Sequence, residues 1–580
     1  FYTVPDIDRM DPFLMSVVSD GDRWMFISST GALTAGRRDA SGALFAYETE
    51  DRLHRTARQV GPATAIRSGG APLWRPFLPT DPAPGSRTLH KSVVGDEIVF
   101  VETHESSGLE FSYRWVSADR FGFVREATLT NRGADPISVE VIDGLLDLLP
   151  SGLTPAVYRA MGNLPNAYKR SEVITTEPHP LAVYSLEARV SDRPEPSEVL
   201  RATTAWSAGL EGASVSVDRR ALTTFECGGS PGGAPKVTGV AGSYLLSGTV
   251  SLDPGASTSW LIVCDVGRDQ SEVAELRRLL AADDLVGQVR TAAVDATRNL
   301  TRIMAMHDGL QVTGDAVASA HHFSNTTYNV MRGGIPLDGY SIDTNDFAAF
   351  VRVRNQVAAS RAAALLAGLP GHLSRAELLE RVSADPDLWR LAQEYLPFSF
   401  SRRHGDPSRP WNSFSIRVRD EAGRPVVYHE GNWRDIFQTW EALCVSYPEY
   451  LPAVITTFLN ASTVDGFNPY RITRDGVDWE VPEPDNPWAH IGYWGDHQIV
   501  YLLRLLEAAD RQLPGKITES LRERRFTYAD VPYRLGSHEE MMVDPKSTIT
   551  FDEAAADRAA RRVEAIGADG KLLALGDDQL

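Results

Sequence analysis

The hydrophobic pattern of this chain changes period near Ser271, and that change constrains the fold more than any other feature. From Phe1 to about Val266, short alternating runs are separated by Gly, Pro, Asn and Asp, which is typical of antiparallel strands. Beyond Ser271, apolar residues recur every three or four positions, which is typical of amphipathic helices. The pattern predicts a multidomain β + α protein, with an antiparallel β-sandwich over 1–268, a helical linker over 269–313 and a helical array over 314–580.

Two stretches of the β half have the pattern of hairpins. Apolar and polar residues alternate over 125–130, a turn-rich segment follows at 131–136, and the alternation resumes over 137–141. Residues 244–250 repeat this design, with a turn at 253–255 and a return through 260–264. Asn, Asp, Pro and Gly occupy the turn positions, where the backbone needs unusual dihedral angles. We therefore expect each pair of segments to lie side by side in one sheet.

The helical half contains candidate helices at 316–331, 346–367, 375–384, 387–395, 434–447, 450–460, 496–509 and 552–566. The helix near 434 has the clearest amphipathic pattern. Its apolar stripe consists of Trp433, Ile436, Phe437, Trp440, Leu443 and Cys444. This stripe is expected to be buried, with polar side chains on the opposite side.

The composition is that of an ordinary globular protein, and the charge excludes some partners. The 580 residues include 43% hydrophobic and 23% charged residues, with a formal net charge of −19. Because phosphate contacts need a basic surface, nucleic-acid binding and anionic-membrane binding are not expected. A local basic pocket for a single phosphate remains compatible with this charge.

The cysteines and the terminal segments indicate a cytoplasmic protein. Cys227, Cys264 and Cys444 are far apart and form no CxxC pair, so buried free thiols are expected rather than disulfides or a zinc site. No run approaches the roughly 20 apolar residues that span a bilayer, and no secretion signal is visible. The chain begins at Phe1, so a lost leader stays open.

The densest polar group of the helical half lies on the helix that follows Gly431. Arg434, Asp435 and Gln438 fall opposite the apolar stripe. A guanidinium and a carboxylate can hold neighbouring sugar hydroxyls, and an amide adds a donor and an acceptor. The indole of Trp433 offers a ring on which a sugar could stack. A solvated helix face, with Asp435 favourable near the helix N-terminus, explains the same residues, and both interpretations stay open.

A second group of aromatic and acidic residues follows and comprises Asp478, Glu480, Trp488, Trp494, Asp496 and His497. Asp496 and His497 can face a cavity beside Trp494, or Asp496 can be the N-cap of the next helix, and the two roles are compatible. Asp478 and Glu480 follow a turn-rich segment and are either sugar-binding or solvated loop residues. Glu430 is a further candidate for a general acid.

A catalytic metal is not expected. His321-His322 and the pair His490 and His497 show no HExxH pattern. The Gly pairs at 333–334 and 69–70 lack the strand–turn–helix context of a phosphate loop and are read as turns. The sequence therefore predicts neither a metal site nor a cofactor.

Two of these segments resemble glycoside hydrolase family 94, the cellobiose-phosphorylase-like enzymes formerly classed as glycosyltransferase family 36. The run from Arg434 to Gln438 resembles the family's R-D-x-x-Q stretch, and Gly495-Asp496-His497 resembles its D-H-L-W segment. The resemblance implies a β-sandwich, a helical linker and an (α/α)6 barrel. It also implies that Arg434 and Asp435 hold the sugar and that the enzyme is a homodimer, although no interface is visible in the sequence.

The chain also departs from the family pattern. Gln498 and Ile499 stand where the family has Leu-Trp, and Thr439 stands where it has Asp. The family's general acid lies in a D-W-N-D-like motif after these segments, and no such motif occurs here. We therefore expect the barrel to be incomplete in this chain and the general acid to lie beyond Leu580.

The resemblance implies an inverting, single-displacement reaction. A protonated carboxyl group would protonate the glycosidic oxygen while inorganic phosphate, the expected co-substrate, attacks from the opposite face. The expected substrate is a β-glucoside or a short oligosaccharide. Two alternatives remain open: an inverting hydrolase, which needs a second carboxylate roughly 6.5–9.5 Å from the first, and a carbohydrate-binding protein without catalysis.

Overall fold

The computed structural model describes residues 1–69, 72–78, 85–174, 179–190, 197–403, 405–410, 414–420, 422–479, 499–522, 525–545 and 548–566. The chain divides into two compact units. The first unit comprises Phe1–Arg302 and Gly405–Ile416, and the second comprises Ile303–His404 and Arg417–Leu580. The boundary at Arg302 falls inside the segment predicted as a linker.

The first unit is built mainly of antiparallel strands. The strands are β1 (Tyr2–Pro5), β2 (Leu14–Val17), β3 (Arg23–Ser28), β4 (Leu33–Arg37), β5 (Ala43–Phe45), β6 (Gly61–Ser68), β7 (Arg87–Lys91), β8 (Ile98–His104), β9 (Leu109–Ala118), β10 (Gly122–Asn131), β11 (Ile137–Leu148), β12 (Lys169–Ile174), β13 (Leu181–Leu186), β14 (Ala202–Ala208), β15 (Ser214–Ser216), β16 (Lys236–Thr238), β17 (Gly242–Leu252) and β18 (Ser257–Arg268). Its helices are α1 (Glu50–Leu53), α2 (Pro155–Ala160), α3 (Arg220–Glu226), α4 (Gln270–Leu279) and α5 (Leu285–Ala305), the last of which contains the unit boundary.

Two large sheets share one apolar core. The ten-stranded sheet has the order β1-β7-β8-β9-β10-β18-β14-β13-β12-β16, and a four-stranded sheet has the order β15-β17-β11-β6. Phe111 and Trp260 of the first sheet and Val141 and Tyr244 of the second belong to the same buried cluster. Strands β2–β5 form a further four-stranded sheet that contributes to this core. The antiparallel β architecture predicted from the alternating pattern is thus present.

The two predicted hairpins are wrong. Strand β10 pairs with β9 and β18, whereas β11 pairs with β17 and β6, so each predicted pair is divided between the two sheets. The connection from β10 to β11 and the connection from β17 to β18 each cross from one sheet to the other. They are hydrogen-bonded to each other, because Asn131 N donates to Ala256 O at 3.0 Å and Gly255 N donates to Asn131 O at 2.9 Å. Both sheets have an inward apolar face, so alternation alone does not distinguish a hairpin from a crossing connection.

A buried ion pair joins the two sheets. Arg125 of β10 donates from Nη1 to Asp143 Oδ2 of β11 at 2.6 Å, and both side chains are fully buried. Trp260 Nε1 and Thr64 Oγ1 donate to the same carboxylate at 2.7 and 2.6 Å. The remaining carboxylate lone pairs are thereby used, which offsets the cost of taking the two charges out of water.

The opposite face of the ten-stranded sheet is covered by helices. Leu276 and Leu280, at the end of α4, and Val289 of α5 pack against Trp206 and Val263 of the sheet. Helix α4 starts with a capping box, in which Asp269 accepts from Glu272 N and the Glu272 side chain accepts from Asp269 N. The predicted helices that follow the β half therefore form and bury their apolar stripe on the sheet.

The second unit is mainly helical. Its helices are α6 (Ala316–Gly333), α7 (Thr344–Arg354), α8 (Gln356–Arg361), α9 (Ala363–Ala367), α10 (Arg375–Val382), α11 (Pro386–Glu394), α12 (Trp433–Ser446), α13 (Leu451–Ala461), α14 (Ile499–Gln512), α15 (Lys516–Leu521), α16 (His538–Val543) and α17 (Glu553–Ile566). Short strands connect them: β19 (Ile335–Pro336), β20 (Ser341–Asp343), β21 (His372–Ser374), β22 (Phe398–Ser399), β23 (Arg402–Arg403), β25 (Glu430–Asn432), β26 (Arg471–Thr473), β27 (Gly476–Asp478), β28 (Tyr533–Leu535) and β29 (Ile549–Phe551), while β24 (Ser415–Ile416) belongs to the first unit.

Residues 337–397, between β19 and β22, form a module with its own core, which we call the insertion module. Phe347, Val351, Leu378, Leu391 and Tyr395 belong to a buried cluster whose members all lie within this range. The chain enters through β19 and leaves through β22, and these strands pair antiparallel directly before and after the module. Entry and exit are therefore neighbours, which is the geometry of a segment inserted into a helical framework.

The predicted helix 346–367 is wrong as a single element. It is divided into α7, α8 and α9, with the first break at Asn355, whose φ and ψ are −157° and 95°. The Asn355 side chain accepts from Ala358 N at 2.8 Å and so caps α8. Asn competes with the helical backbone in this way, which interrupts an otherwise periodic segment.

The (α/α)6 barrel stays a prediction. Helix α12 packs against α6, α13 and α14, and Gly333 permits the close contact with α6, because an added Cβ there would lie 2.7 Å from Thr439 Cγ2. No helix in the described residues has both the length and the apolar character that crossing a membrane requires. All three cysteines are free thiols, and Cys264 and Cys444 are buried as expected, whereas Cys227 is exposed.

Candidate functional site

A three-stranded antiparallel sheet places charged side chains directly before α12. In this sheet, β25 pairs with β26 and β26 pairs with β27. Residues that lie opposite each other across antiparallel strands share a face. The register therefore places Glu430, Asn432, Arg471, Thr473 and Asp478 on one face. Gly431, Ile472 and Val477 lie on the other, buried face. The sheet is thus amphipathic.

Three residues of the polar face form what we call the charged row: Glu430, Arg471 and Asp478. Arg471 Nε lies 2.6 Å from Asp478 Oδ2, and Arg471 Nη1 lies 3.5 Å from Glu430 Oε1. The guanidinium therefore separates two carboxylates. The Glu430 side chain is nearly buried, whereas the Arg471 and Asp478 side chains keep 21% and 17% exposure. Such a row can offer both acceptors and donors to a polar ligand.

Tyr428 extends the row by a neutral donor. Its hydroxyl donates to Glu430 Oε2 at 2.8 Å, and Arg417 Cζ lies 4.8 Å from the centre of its ring. Burial, and then the Glu430 carboxylate, raise the pKa of Tyr428 well above its ordinary value. The phenol therefore stays protonated and orients one carboxylate oxygen, while Arg471 faces the other.

The polar residues predicted on α12 lie at its N-terminal end. Arg434 Nε is 3.4 Å from Asp435 Oδ1, and the two side chains are 44% and 19% exposed. Gln438 is also exposed, one turn further along. Asp435 lies in the first helical turn, where the helix dipole favours a carboxylate. Because β25 leads directly into α12, Arg434 follows the polar face of the sheet by two residues. The structure thus brings Arg434 and Asp435 close in sequence and space to the end of strand β25.

Trp433 is a core residue, and its predicted role as a sugar-stacking surface is wrong in this structure. Its side chain is fully buried, and its ring lies 4.5 Å from the ring of Phe437 and 5.2 Å from that of Phe458. Trp433 belongs to the same apolar stripe that the pattern predicts to be buried. Burying an indole removes a large apolar area from water, so packing the Trp433 ring in the core is more favourable than leaving one of its faces exposed for a ligand.

Several predicted site residues cannot be placed. Glu480, Trp488, Trp494, Asp496 and His497 lie outside the described residues. The two interpretations of Asp496, sugar contact and N-cap, therefore stay predictions, as do the roles of the other four residues. Among the described positions, no group of three or more His, Cys, Asp or Glu side chains is arranged to hold a metal ion.

Sequence reasoning missed Arg471 and Tyr428. The turn-rich segment before Asp478, residues 468–476, has the composition of a loop, because Asn, Pro, Asp and Gly are frequent in it. The sequence does contain the pattern of a hairpin here. One apolar residue stands between polar or small residues on each side of a two-residue turn, in Arg471-Ile472-Thr473 and in Gly476-Val477-Asp478. That pattern is typical of a short hairpin with one buried face.

His429 precedes the charged row and is a neutral core residue. Burial, followed by the charges of Arg474 and Arg354, lowers its pKa to about 3. Its ring packs edge-on against Trp440, with 5.3 Å between ring centres. It is therefore uncharged near neutral pH and serves the fold through its carbonyl oxygen, which accepts from Arg474 N at 2.9 Å.

One protein-family model matches part of the second unit. Residues 338–397 match the glycoside hydrolase family 149 insertion domain 1. The matched range lies within the insertion module described above and contains its whole apolar cluster. The match is to a domain of a glycoside hydrolase family, so it supports the general class of carbohydrate-active enzymes, and it does not extend to glycoside hydrolase family 94. No curated protein matches the chain.

Solved structures show only weak similarity. A bacterial glucoamylase in complex with acarbose aligns with a TM-score of 0.36 and 10% identity, over 79% of this chain and 61% of its own. A protein from the human microbiome, provisionally described as a kojibiose phosphorylase, aligns with a TM-score of 0.31 and 8% identity, over 87% and 60%. A family GH92 α-mannosidase from Bacteroides thetaiotaomicron aligns with a TM-score of 0.27 and 8% identity, over 61% and 42%. The chain thus spans less than two thirds of these proteins, and likeness at this level does not establish a shared fold.

Proposed function

We propose that this chain carries the sugar-binding part of an inverting glycoside phosphorylase that acts on β-glucosides or short β-linked oligosaccharides. The observation that carries the proposal is the charged row, with Arg434 and Asp435 four and five residues after its Glu430, in the unit whose insertion module matches a domain of a glycoside hydrolase family. Asp435, Glu430 and Asp478 accept hydrogen bonds from sugar hydroxyls, and Arg434 donates to them. Gln438 supports them from the next turn.

The proposed reaction is a single displacement. A carboxylic acid gives its proton to the glycosidic oxygen, the bond from that oxygen to the anomeric carbon breaks, and a phosphate oxygen bonds to the anomeric carbon from the opposite face. A β-glucoside thereby gives α-glucose 1-phosphate and a shortened sugar. The described residues are assigned to binding, and none of them is assigned the role of the general acid.

Phosphate as the acceptor rests on the resemblance of residues 434–438 to the R-D-x-x-Q stretch of the cellobiose-phosphorylase-like enzymes. Arg434 and Arg471 are the cations of the described site, and guanidinium groups can bind phosphate through paired donors. The site also holds three carboxylates, Glu430, Asp435 and Asp478, and an inverting hydrolase needs a second carboxylate that activates water, so hydrolysis is the alternative function. Inorganic phosphate is proposed as co-substrate, with no other cofactor. The homodimer and the cytoplasmic location remain predictions.

Turnover by the protein tests the proposal. Cellobiose, laminaribiose, sophorose and gentiobiose, which differ only in linkage, are each incubated with and without inorganic phosphate. We expect glucose 1-phosphate to form from at least one of them, and only with phosphate. Release of free glucose alone, independent of phosphate, would identify a hydrolase. Binding of a disaccharide without either product would identify a binding protein.

A further inference from the structure

We propose that Arg474 is a positioning residue, through which the insertion module holds the register of the charged row. This inference deepens the proposed function and rests on it, because the row is assigned to sugar binding. The argument depends on three features: the turn between β26 and β27, the contacts that hold Arg474, and the consequence of a slipped register.

The turn between β26 and β27 has little stabilisation from its own backbone conformation. It consists of two residues, Arg474 and Asp475, between paired Thr473 and Gly476. Two-residue hairpin loops favour turns with positive φ at the first or at both positions, because these match the twist of the strands. Neither residue has a positive φ. Local support comes from the Thr473 hydroxyl, which donates to Gly476 O and accepts from Gly476 N.

Contacts from outside the hairpin hold Arg474 at three points. Its backbone N donates to His429 O at 2.9 Å, and its carbonyl oxygen accepts from Arg354 Nη2 at 2.8 Å. Its own Nη2 donates to Asp346 Oδ1 at 2.8 Å and to Asp346 O at 3.3 Å. Two of the three points belong to the insertion module, because Asp346 and Arg354 both lie on α7. The turn is thus attached to the module on its backbone and on its side chain.

The attachment is anchored in the core of the module. Tyr395, a core residue of the module, donates from its hydroxyl to Asp346 Oδ2 at 2.5 Å. Arg354 Cζ lies 5.1 Å from the centre of the Phe350 ring, another core residue. Arg474 itself is only 9% exposed. Since a close-packed core resists small displacements, the module offers the turn a rigid support.

The register of this hairpin decides which face carries the charged row. Arg471 precedes Arg474 by three residues, and Asp478 follows it by four. A slip of one residue exchanges the two faces of a strand, so it would turn Arg471 or Asp478 toward the buried side. Even a smaller displacement changes the spacing between the guanidinium and the two carboxylates. Fixing Arg474 therefore fixes the geometry that a sugar would meet.

The test compares Asp346→Asn and Arg474→Lys with the wild-type chain. Hydrogen exchange of peptides that cover 430–432 and 471–478 reports the hairpin directly, and titration calorimetry with the four glucose disaccharides reports binding. We expect roughly tenfold faster exchange in these peptides and a roughly tenfold higher Kd in either variant. Asp387→Asn is the matched control, because it removes an exposed ion pair of the same module, with Arg361, and should change neither quantity.

A double-variant cycle separates positioning from general stability. Asp346→Asn is combined with Asp478→Asn, and we expect the two effects on Kd to be less than additive, because the first acts through the second. Additive effects of Asp346→Asn and Asp478→Asn on Kd would overturn the inference. Unchanged hydrogen exchange in both Asp346→Asn and Arg474→Lys would overturn it as well. If Asp346→Asn does not fold, the exchange and binding results of Arg474→Lys decide the test. That variant keeps the positive charge and both backbone contacts of residue 474, with His429 and with Arg354. If the wild-type chain binds none of the disaccharides, the proposed function fails, while the exchange result still decides the role of Arg474.

Discussion

Arg471 Nε lies 2.6 Å from Asp478 Oδ2, and the two residues face each other across paired strands. The same guanidinium reaches Glu430 Oε1 at 3.5 Å, so a single cation stands between two carboxylates of one face. The strand register alone brings these three groups together, since 40 residues separate Glu430 from the β26 strand in sequence. This arrangement is the basis of the first prediction.

Arg471→Met should destabilise the second unit, because it leaves two partly buried carboxylates without their shared cation. We expect a loss of about 1–3 kcal/mol, smaller than for a fully buried pair. Arg471→Lys should lose less, because it keeps the charge but not the fork. Urea unfolding measures both changes, with Arg298→Met, in an exposed pair with Asp295, as the control. Equal urea midpoints for Arg471→Met and wild type would show that the ion pairs of the charged row do not stabilise the folded state.

Asp143→Ala should be among the most damaging substitutions in the first unit. It removes the partner of fully buried Arg125 and the acceptor of Trp260 and Thr64. An uncompensated buried cation costs about 3–5 kcal/mol. The unfolding midpoint of this unit, followed by tryptophan fluorescence in urea, measures the loss. The exposed carboxylate of Asp295 is the matched comparison, and Asp295→Ala should leave the midpoint unchanged. A small effect of Asp143→Ala would mean that the two sheets hold together without this ion pair.

His429 should make the second unit less stable as pH falls. Burial and the charges of Arg474 and Arg354 lower its pKa to about 3, from an ordinary value of 6.5. The unfolded state therefore binds a proton that the folded state does not, so the contribution is fully present above pH 6.5 and is lost progressively toward pH 3. Between pH 6.5 and 5 the loss is about 2 kcal/mol.

The variant His429→Phe tests that assignment. It removes the titrating group and should flatten the dependence of the urea midpoint on pH between 6.5 and 5. His372→Asn, at an exposed position of the module, is the control and should keep the wild-type dependence. An unchanged dependence in His429→Phe would contradict the assignment.

The insertion module should fold when separated from the rest of the chain. Among the described residues, every member of its core cluster lies within the module, and β19 pairs with β22 at its two ends. A peptide that covers 335–399 should show helical circular dichroism and a cooperative thermal transition, although its small size implies low stability. A peptide without helical signal would show that the module needs the surrounding helices.

The sequence was most informative where one face of an element is buried. The change of period near Ser271 separates the sheets from the helices, and the stripe from Trp433 to Cys444 is buried as the spacing predicts. The same logic failed at Asn131, because an alternating strand can continue into either sheet of a sandwich. It also failed at Asn355, where one side-chain hydrogen bond to Ala358 N ends a helix whose apolar pattern continues.

The candidate site was predicted only in part. Arg434 and Asp435 could be predicted to share an exposed face because they lie on one helix, where spacing determines the face, and their role in binding stays a prediction. Arg471 was missed because its role depends on pairing with strands that are distant in sequence, which no local pattern reveals. Trp433 was assigned two incompatible roles, core and ligand contact, and the apolar stripe to which it belongs was the better guide.

The central claim is that Asp435 binds sugar, and titration calorimetry of the disaccharide panel with wild type and Asp435→Asn tests it most directly. Loss of a charge-assisted acceptor should raise the Kd at least about tenfold, while the melting temperature stays nearly unchanged because asparagine keeps the size of the side chain and the Asp435 contact with exposed Arg434 is long, at 3.4 Å. Asp387→Asn, the same change in the first turn of α11, should alter neither quantity. A large fall in melting temperature with unchanged disaccharide affinity would show that Asp435 is structural and would contradict the account.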